Sequence, residues 1–458
     1  MQKNLRGRLG VAIATLGLLS TAVVTAAGAA ATLNGDLTFA SSDAAASINP
    51  AMGGSSFDEP FFNSAIPVYM SAAAKVSGSN APSGMSLYSP VGSASGKKGV
   101  IAGTYAVGAS DVPMGTVVNG TNLDSSALTN ADSAHTLNSY VQVPVVLGGV
   151  GMMYNLPSLS SNKTFKKYPV VLNSKVLAGI YDGVITKWNN PAICQLNTKI
   201  VNVKYKWVTV SKNGKKVRVH KVVGHTCAMP GTPVVPVYRA DGSGTTFIVM
   251  DYLNQTQGAN FKNTSTGAEI YPSTSFNQGE VPSTGLGGQK NAGVASTVEN
   301  TTGAIGYVEY SYILLQHTLP AARLVNAKNQ VVSLSLNGVA ADAAAFSSKP
   351  PSESSTGVVS NFSIVNGNAS DAYPIAGYSW AIVRQDWNGL GTVGGATASL
   401  NSEKLVAKFL DWAVQRGNNG GQRVAYLQGY VPLPSYVVAV AESQIASMTY
   451  NKVSLSLS

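Results

Sequence analysis

The chain has 458 residues and is lightly charged, with 11% charged residues, 45% hydrophobic residues and 47 glycines. This composition is typical of a globular protein with many turns and excludes an intrinsically disordered chain. The length allows about two or three units of ordinary domain size, and therefore a cleft between lobes. The formal net charge of +10 comes largely from two short segments, the first residues of the chain and the stretch between its two cysteines.

The first 31 residues have the three-part pattern of an export signal. A basic segment with Lys3, Arg6 and Arg8 precedes an apolar run of about 14 residues and a zone of small residues, so we expect the mature chain to begin near 29–32. The apolar run is shorter than the ~20 residues of a typical membrane-spanning helix, and it ends without a cysteine for lipid attachment. We therefore expect an exported protein in the periplasm, at the cell envelope or outside the cell, without a lipid anchor.

Hydrophobic periodicity predicts short strands that alternate with helices after the leader. The segment 326–370 is rich in Ser, Ala and Asn and is expected to be partly loop. The alternation favours α/β layers. In chain order the predicted elements are a helix over 58–74, strands in TYAVGASDVPM and VQVPVVLGGVGMMYNLP, a helix, a turn and a short terminal piece in SKVLAGIYDGVITKWNNPAI, strands in GAIGYVEYSYILL and YPIAGYSWAIV, and an amphipathic helix in NSEKLVAKFLDWAV.

The chain contains two cysteines, Cys194 and Cys227. In an exported protein a single pair with no leftover thiol favours a disulfide. The less favoured alternative is a zinc site that would add His220 and His225 as ligands.

The segment between the two cysteines is strongly basic and contains no acidic residue. Apolar and polar residues alternate on both sides of Asn213-Gly214, and this pattern predicts a β-hairpin. The lysines either keep a solvated ribbon from aggregating or form a docking patch for an acidic envelope polymer or partner. Nucleic acid is the least favoured partner, since an exported protein has no obvious nucleic-acid target. The basic residues are Lys199, Lys204, Lys206, Lys212, Lys215, Lys216, Arg218 and Lys221.

The stretch YRADGSGTTF, residues 238–247, favours a small oxyanion as ligand. Arg239 can bind an anion with two parallel hydrogen bonds, and Gly242 and Gly244 let the backbone approach a ligand closely before a helix begins. The alternative is an ordinary surface turn. A nucleotide-binding phosphate loop is excluded at Gly92 because the glycine spacing is wrong, and no Gly-x-Ser-x-Gly nucleophile elbow occurs at Ser243.

Asp111 follows the small residues of GASDVPM at the end of a predicted strand. It is either a turn aspartate that caps its own backbone or a carboxylate that faces a cleft, the usual ligand position in open α/β sheets. The local sequence leaves both interpretations open.

Taken in order, nine segments resemble the phosphate-specific substrate-binding proteins of ABC uptake systems, which have the periplasmic-binding-protein fold. The resemblance implies a two-lobed α/β protein with mixed sheets, flanking helices and a ligand cleft between the lobes. It divides the chain into a first part of lobe 1 (32–147), lobe 2 (148–308, with the basic hairpin 194–227 as an insertion) and a second part of lobe 1 (309–458). The segments are GGSSFDEPFF, GSASG, GASDVPM, VPVVLGGVGMMYNLP, IYDGVITKWNNPAI, YRADGSGTTF, NAGVASTVENTTGAIGYVEYSYIL, YPIAGYSWAIV, and FLDWAV followed by LQGYVPLP.

The resemblance also implies a phosphate site between the lobes. Asp111 accepts the proton of the bound phosphate, and Asp241 orients Arg239. The sequence departs from the family pattern after Phe57, where Asp58 and Glu59 replace the usual Pro-Ala-Pro and would compete with an anion for positive potential. The implied phosphate ligands are Ser56, Phe57, Ser93, Asp111, Arg239, Ser243, Gly244 and Thr245.

The function implied is that of a non-enzymatic, monomeric receptor that captures inorganic phosphate for a membrane permease, with no metal and no cofactor. One alternative is a secreted adhesion, scaffold or phosphate-scavenging protein that uses the same fold and the basic ribbon without transport. Hydrolysis of phosphomonoesters is the weakest hypothesis, because neither a metal cluster nor an activated nucleophile is evident in the sequence.

Overall fold

The structure is a computed structural model, and it describes residues 49–78, 84–118, 121–124, 128, 136–159, 169–213, 215–258, 284–316, 319–455 and 457. The predicted export signal, 1–31, lies outside these residues. Within them, no helix combines the length and the apolar character needed to cross a membrane.

The described strands are numbered in chain order. They are β1 (Met52–Gly54), β2 (Ser89–Pro90), β3 (Val107–Ser110), β4 (Val117–Val118), β5 (Thr121–Asn122), β6 (Tyr140–Tyr154), β7 (Val171–Leu172), β8 (Val201–Lys212), β9 (Lys215–Cys227), β10 (Val235–Arg239), β11 (Leu286–Gly288), β12 (Ala304–Glu309), β13 (Arg323–Val325), β14 (Val331–Val332), β15 (Ser352–Glu353), β16 (Val359–Ser360), β17 (Ala376–Arg384), β18 (Thr392–Val393), β19 (Ala396–Thr397), β20 (Thr449–Tyr450) and β21 (Val453–Ser454).

The described α-helices alternate with these strands, and short 3₁₀ turns lie at Leu137–Ser139 and Pro157–Leu159. The helices are α1 (Glu59–Ser77), α2 (Ser93–Ile101), α3 (Ser174–Tyr181), α4 (Pro191–Leu196), α5 (Gly244–Gln257), α6 (Lys290–Asn300), α7 (Tyr310–Gln316), α8 (Leu336–Ala344), α9 (Leu400–Val414), α10 (Gly421–Leu427) and α11 (Ser435–Ala446).

The long strand β6 joins two halves of an eight-stranded sheet whose order is β11-β10-β12-β6-β17-β3-β1-β2. Its residues Tyr140 to Gly149 pair antiparallel with β17, and its residues Val150 to Tyr154 pair antiparallel with β12. Beyond these partners the strands are parallel, β10 with β12 and β11 on one side and β1 with β3 and β2 on the other. The predicted α/β class with a mixed sheet and flanking helices is confirmed. The lobe boundaries at 147/148 and 308/309 stay predictions.

Helices α1 and α9 cover one half of this sheet with aromatic side chains. Phe61, Phe62 and Tyr69 of α1 are fully buried, and they recur at the spacing of one helix face. The Tyr69 ring meets the rings of Phe409 and Trp412 of α9 at centroid distances of 5.3 and 5.4 Å. Such aromatic pairs add to the stabilisation that comes from burying their surface.

One prediction of secondary structure was wrong. The strand predicted through GAIGYVEYSYILL ends at Glu309, and α7 follows at once. The buried Glu309 carboxylate accepts a hydrogen bond from the Ser311 backbone N–H at 2.9 Å, so it satisfies a donor that a helix start leaves unpaired. The segment 326–370 is partly loop, as its composition predicted, and it also contains α8, whose Ser335 cap accepts from the Gly338 N–H at 3.1 Å.

The predicted hairpin between the cysteines is confirmed, and we call β8 and β9 the basic ribbon. The two strands pair antiparallel along their length, Asn213 at the tip has a φ of 50°, and most side chains on both faces are exposed. Cys194 and Cys227 form the predicted disulfide at the base, with Cα atoms 5.7 Å apart. The zinc alternative was wrong because both sulfur atoms are bonded to each other. His220 instead lies against Trp207, with ring centroids 3.7 Å apart.

Glu403 lies in the first turn of α9 and is fully buried. It is not one of the predicted phosphate ligands. Its Oε2 accepts from the Trp387 backbone N–H at 3.2 Å, and its Oε1 has no hydrogen-bond partner among the described residues. Burial raises the pKa of Glu403 to about 9, because water no longer solvates the charged form. The folded protein therefore holds Glu403 neutral at pH 7.

We expect Glu403→Gln to remove part of the dependence of stability on pH. Since the folded-state pKa of Glu403 is raised, its contribution is fully present below the unfolded-state pKa of about 4.3 and is lost as pH rises toward about 9. Glutamine imitates the neutral acid, so the variant should be more stable than the wild type at pH 8.5 and similar to it at pH 4.5. Urea unfolding across this range measures the difference. The exposed Glu442→Gln serves as control, and a Glu403→Gln effect of equal size at every pH would contradict this assignment.

Candidate functional site

The candidate site lies where strand ends from both halves of the sheet meet helix N-termini. Asp111 follows β3, and Arg239 ends β10. Ser93 begins α2 and Gly244 begins α5. The Ser93 hydroxyl oxygen accepts from the Gly244 backbone N–H at 3.0 Å. The structure thus brings together residues that are 151 positions apart in the chain.

Arg239 is a buried cation held by a carboxylate, with a side-chain exposure of 1%. Its Nε donates to Asp241 Oδ1 at 2.7 Å and its Nη2 donates to Oδ2 at 2.5 Å. Asp241 also accepts from the Lys290 backbone N–H at 2.8 Å. This two-point contact fixes the plane of the guanidinium and directs Nη1 to Thr245 Oγ1, at 3.4 Å.

The loop before α5 is tightly packed against Asp111. Ser243 caps the helix, because its Oγ accepts from the Thr246 N–H at 3.1 Å. A Cβ atom at Gly244 would lie 2.5 Å from the Cβ of Asp111, so the close approach requires glycine at this position. The positive end of the α5 dipole therefore faces the Asp111 carboxyl group.

Tyr307 supports this loop from β12. Its hydroxyl oxygen accepts from the Arg239 backbone N–H at 2.9 Å and lies 2.7 Å from Thr246 Oγ1. The sequence analysis did not identify Tyr307, because a tyrosine in an apolar strand has the pattern of an ordinary core residue.

Ser56 and Phe57 lie in the segment that links β1 to α1, and both are fully buried. Ser56 Oγ accepts two hydrogen bonds from Asn291, from its backbone N–H at 3.2 Å and its Nδ2 at 3.1 Å, so the Ser56 hydroxyl proton points elsewhere. The Phe57 backbone N–H donates to Ser55 Oγ at 3.0 Å. Asn291 and Ser55 are further residues that the sequence analysis missed.

The Asp111 carboxylate accepts hydrogen bonds at both oxygen atoms. Ser379 Oγ lies 2.8 Å from Oδ1, and Thr245 Oγ1 donates to Oδ2 at 3.3 Å. Burial raises the pKa of Asp111 to about 6, while the hydroxyl donors and the Arg239 charge oppose that rise. Of the two interpretations of Asp111, the structure favours the carboxylate that faces other functional groups.

Two further buried acids, Asp58 and Glu309, surround Asp111. Asp58 precedes α1 but makes no side-chain capping bond to it, and its Oδ2 lies 2.8 Å from Ser379 Oγ. Burial and the nearby Asp111 raise the pKa of Asp58 well above its usual range, and burial raises the pKa of Glu309 to about 8. Glu59 receives a hydrogen bond from the Tyr312 hydroxyl. Burial favours the neutral form of Asp58, and the expectation that the acids after Phe57 compete with an anion stays a prediction.

The arrangement combines several donors with one acceptor. A buried guanidinium, a helix N-terminus and hydroxyl groups suit an oxyanion, and the Asp111 carboxylate suits a ligand that still carries a proton. In the part of the chain that the structure describes, no group of three or more His, Cys, Asp or Glu side chains is arranged to hold a metal ion.

Comparisons with known proteins agree with this architecture. A family model described as a PBP superfamily domain matches residues 40–416. The phosphate-binding protein PstS of Haemophilus influenzae is 29% identical over 357 residues, which cover 78% of this chain and 83% of that protein. The protein of the same name from Xylella fastidiosa strain 9a5c is 28% identical over 361 residues, covering 79% and 77%.

Solved structures show the same fold. A high-affinity periplasmic phosphate-binding protein (PfluDING) bound with phosphate superposes with a TM-score of 0.58 at 19% identity, covering 86% of this chain and 93% of that chain. The phosphate-binding protein of Stenotrophomonas maltophilia gives a TM-score of 0.52 at 20% identity with the same coverage. The predicted resemblance is confirmed, and this chain belongs to the PBP superfamily.

Proposed function

We propose that this chain is an exported receptor, and not an enzyme, that binds inorganic phosphate between two lobes and delivers it to an ABC permease. The relatives that cover most of the chain are named phosphate-binding proteins. The site chemistry supports the same ligand, because it places a buried cation, a helix N-terminus and a carboxylate acceptor close together. Thr245 Oγ1 links Arg239 to Asp111, and Ser93 Oγ accepts from the Gly244 N–H.

The placement of Asp111 carries the proposal. Phosphate near neutral pH keeps at least one proton and can donate it to a carboxylate, whereas sulfate has no proton to donate. Sulfate would place an acceptor oxygen against the acceptor Asp111, and such an unsatisfied buried contact costs about 1–3 kcal/mol of binding free energy, and more when the groups are charged. A site built around such a hydrogen bond rejects analogues that lack it by about 10⁴-fold or more.

The proposed ligands come from both halves of the sheet. Asp241 acts by orienting Arg239. Phosphate takes over donors that the site now pairs internally, such as the Gly244 N–H, and a hinge motion of the lobes admits and releases it. Charge-assisted hydrogen bonds contribute about 1.5–3 kcal/mol each, so several of them offset the cost of closure. The ligands are Ser56, Phe57, Ser93, Asp111, Arg239, Ser243, Gly244 and Thr245.

The basic ribbon supports a second interaction, with an acidic polymer of the cell envelope. Eight lysine and arginine residues and no acid lie between its cysteines, and they cover an exposed two-stranded sheet. A dense positive surface of this kind attracts polyanions over about one Debye length. It would hold an exported receptor near its membrane, or serve adhesion in the alternative function without transport.

We expect wild-type protein to bind phosphate and arsenate and to reject sulfate by at least about a hundredfold, or ~2.7 kcal/mol. Asp111→Asn supplies an N–H donor and removes a negative charge. It should therefore strengthen sulfate binding and reduce the difference between the affinities for phosphate and sulfate. Calorimetric titration with the three oxyanions measures both effects. Arg239→Ala is the contrasting variant, because it should weaken the binding of all three oxyanions by similar factors. Equal affinity of the wild type for sulfate and phosphate would falsify the proposed site.

Sulfate rejection should diminish in acid. The pKa of Asp111 is raised to about 6, so below that pH the carboxyl group gains a proton and becomes a donor to sulfate. We expect the sulfate affinity of the wild type to rise at least about fivefold between pH 7.5 and 5 relative to that of Asp111→Asn, whose amide does not titrate in this range. Titrations at constant ionic strength provide the comparison. Parallel pH profiles for the two proteins would contradict the role given to Asp111.

Removal of the ribbon should separate the two interactions. Asn197 and Ile200 are buried at its base, so the deletion replaces 203–225 by an Asn-Gly turn and keeps the disulfide. We expect phosphate affinity to stay within about threefold and salt-sensitive binding to an immobilised polyuronate to disappear. A full-length variant with the eight basic residues changed to Gln is the matched control. A large loss of phosphate affinity would place the ribbon in the phosphate site.

A further inference from the structure

A single hydroxyl group lies between two buried carboxyl groups in the candidate site. Ser379 Oγ is 2.8 Å from Asp58 Oδ2 and 2.8 Å from Asp111 Oδ1. A serine hydroxyl has one proton and can donate one hydrogen bond at a time. Two oxygen atoms at this distance with no proton between them repel each other. One of the two carboxyl groups must therefore be protonated and donate a hydrogen bond to Ser379 Oγ.

The surroundings select Asp58 as the protonated group. Asp58 is fully buried, and its Oδ1 has no hydrogen-bond partner among the described residues, which is costly for a charged oxygen. Asp111 accepts a second bond from Thr245 and lies in the field of Arg239, and both favour its ionised form. Burial and the neighbouring Asp111 charge both raise the pKa of Asp58 well above its ordinary range.

The sheet is irregular beside Ser379, because Val145 of β6 has no register partner in β17. Strand β17 shifts register against β6 between Ser379 and Trp380. Such irregularities redirect a side chain locally, and the polar Ser379 is fully buried in an otherwise apolar strand. Asp58 reaches it from a position 321 residues earlier in the chain.

We propose that Asp58 is a specificity-determining positioning residue that stays protonated and donates a hydrogen bond to Ser379. Ser379 then donates to Asp111, which keeps Asp111 ionised as the acceptor for a protonated oxyanion. The inference deepens the proposed phosphate-binding function and rests on it for the nature of the ligand. In this arrangement, Ser379 Oγ accepts a hydrogen bond from the protonated Asp58 and donates a hydrogen bond to Asp111.

The charge balance of the site explains why a neutral Asp58 matters. Among the described residues, the titratable groups with a marked electrostatic effect on Asp58, or on which Asp58 has one, are the acids Asp111 and Glu309 and the tyrosines Tyr88 and Tyr430. The nearby cation Arg239 is already paired with Asp241. An ionised Asp58 would therefore add a negative charge beside the bound anion without a partner of its own.

The protonation of Asp58 can be measured directly. In phosphate-free wild-type protein labelled with ¹³C, side-chain experiments link the Asp58 carboxyl carbon to its assigned Cβ. We expect the chemical shift of a neutral acid at pH 7 and of an ionised one at Asp111. An ionised Asp58 at pH 7 overturns the proposal. Because no phosphate is present, this result is independent of whether the chain binds phosphate.

Asp58→Asn tests the functional consequence, since its amide can donate to Ser379 as the neutral acid does. At pH 7 the amide should reproduce the phosphate-to-sulfate ratio of the neutral acid. As the pH is raised, the phosphate affinity of the wild type should fall relative to that of Asp58→Asn, because only Asp58 can ionise beside the anion. If Asp58 were ionised, the substitution would remove a charge beside the anion and tighten binding by more than about tenfold. Tightening of that size at pH 7, a changed ratio, or an unchanged relative affinity as the pH rises overturns the proposal. Asp342→Asn, at a buried acid outside the site, controls for nonspecific effects.

Ser379→Ala tests the connection between the two acids. The Ser379 hydroxyl lowers the pKa of Asp111, so its loss leaves Asp111 more readily protonated and able to donate to sulfate. A pKa of about 6 leaves roughly a tenth of Asp111 protonated at pH 7, so we expect the phosphate-to-sulfate ratio to fall by about three- to tenfold at pH 7. An unchanged ratio overturns the proposal, provided that thermal unfolding shows a folded variant. If the wild type binds neither oxyanion, the proposed function fails, and the Asp58 measurement still decides its protonation.

Discussion

The continuous hydrogen bonding of β6 to two different partners is the constraint on which the candidate site depends. Its first part pairs with β17 and its last part with β12, and all fifteen of its residues are buried. A slip of one residue would turn its buried side chains to the opposite face and would displace one half of the sheet against the other. The Asp111 end of β3 and the Arg239 end of β10 meet because this register is fixed.

The electrostatic composition of the site is unusual for an anion receptor, because buried acids outnumber buried bases near Arg239. Asp58, Asp111 and Glu309 all lie within reach of one another's charge, and the single guanidinium is paired with Asp241. In the site we propose, attraction would depend less on net charge than on oriented donors, namely the α5 N-terminus and the hydroxyl groups of Ser93 and Thr245. Burial that keeps carboxyl groups neutral turns possible repulsion into hydrogen-bonding capacity.

Much of the fold and part of the site could be predicted from sequence, because local patterns determine them. The Asn-Gly hairpin, the paired cysteines, the long apolar strand and the Arg239 loop each carry their information within a few residues. Asp58, Ser379 and Asn291 could not be assigned in this way, because their contacts depend on strand register over hundreds of residues. A buried serine in the apolar run of β17 was the one available indication. The α7 helix was missed because its start depends on the Glu309 side chain, which apolar periodicity ignores.

The disulfide at the base of the basic ribbon has a mechanical consequence. The ribbon leaves the body after the buried Ile200 and returns at Cys227, and the bond from Cys227 to Cys194, with Cα atoms 5.7 Å apart, clamps its two ends together. Strand β10, which ends at Arg239, begins only at Val235. Seven residues therefore separate the clamped base from the strand that carries Arg239, so bending of the ribbon beyond its base does not act directly on that strand.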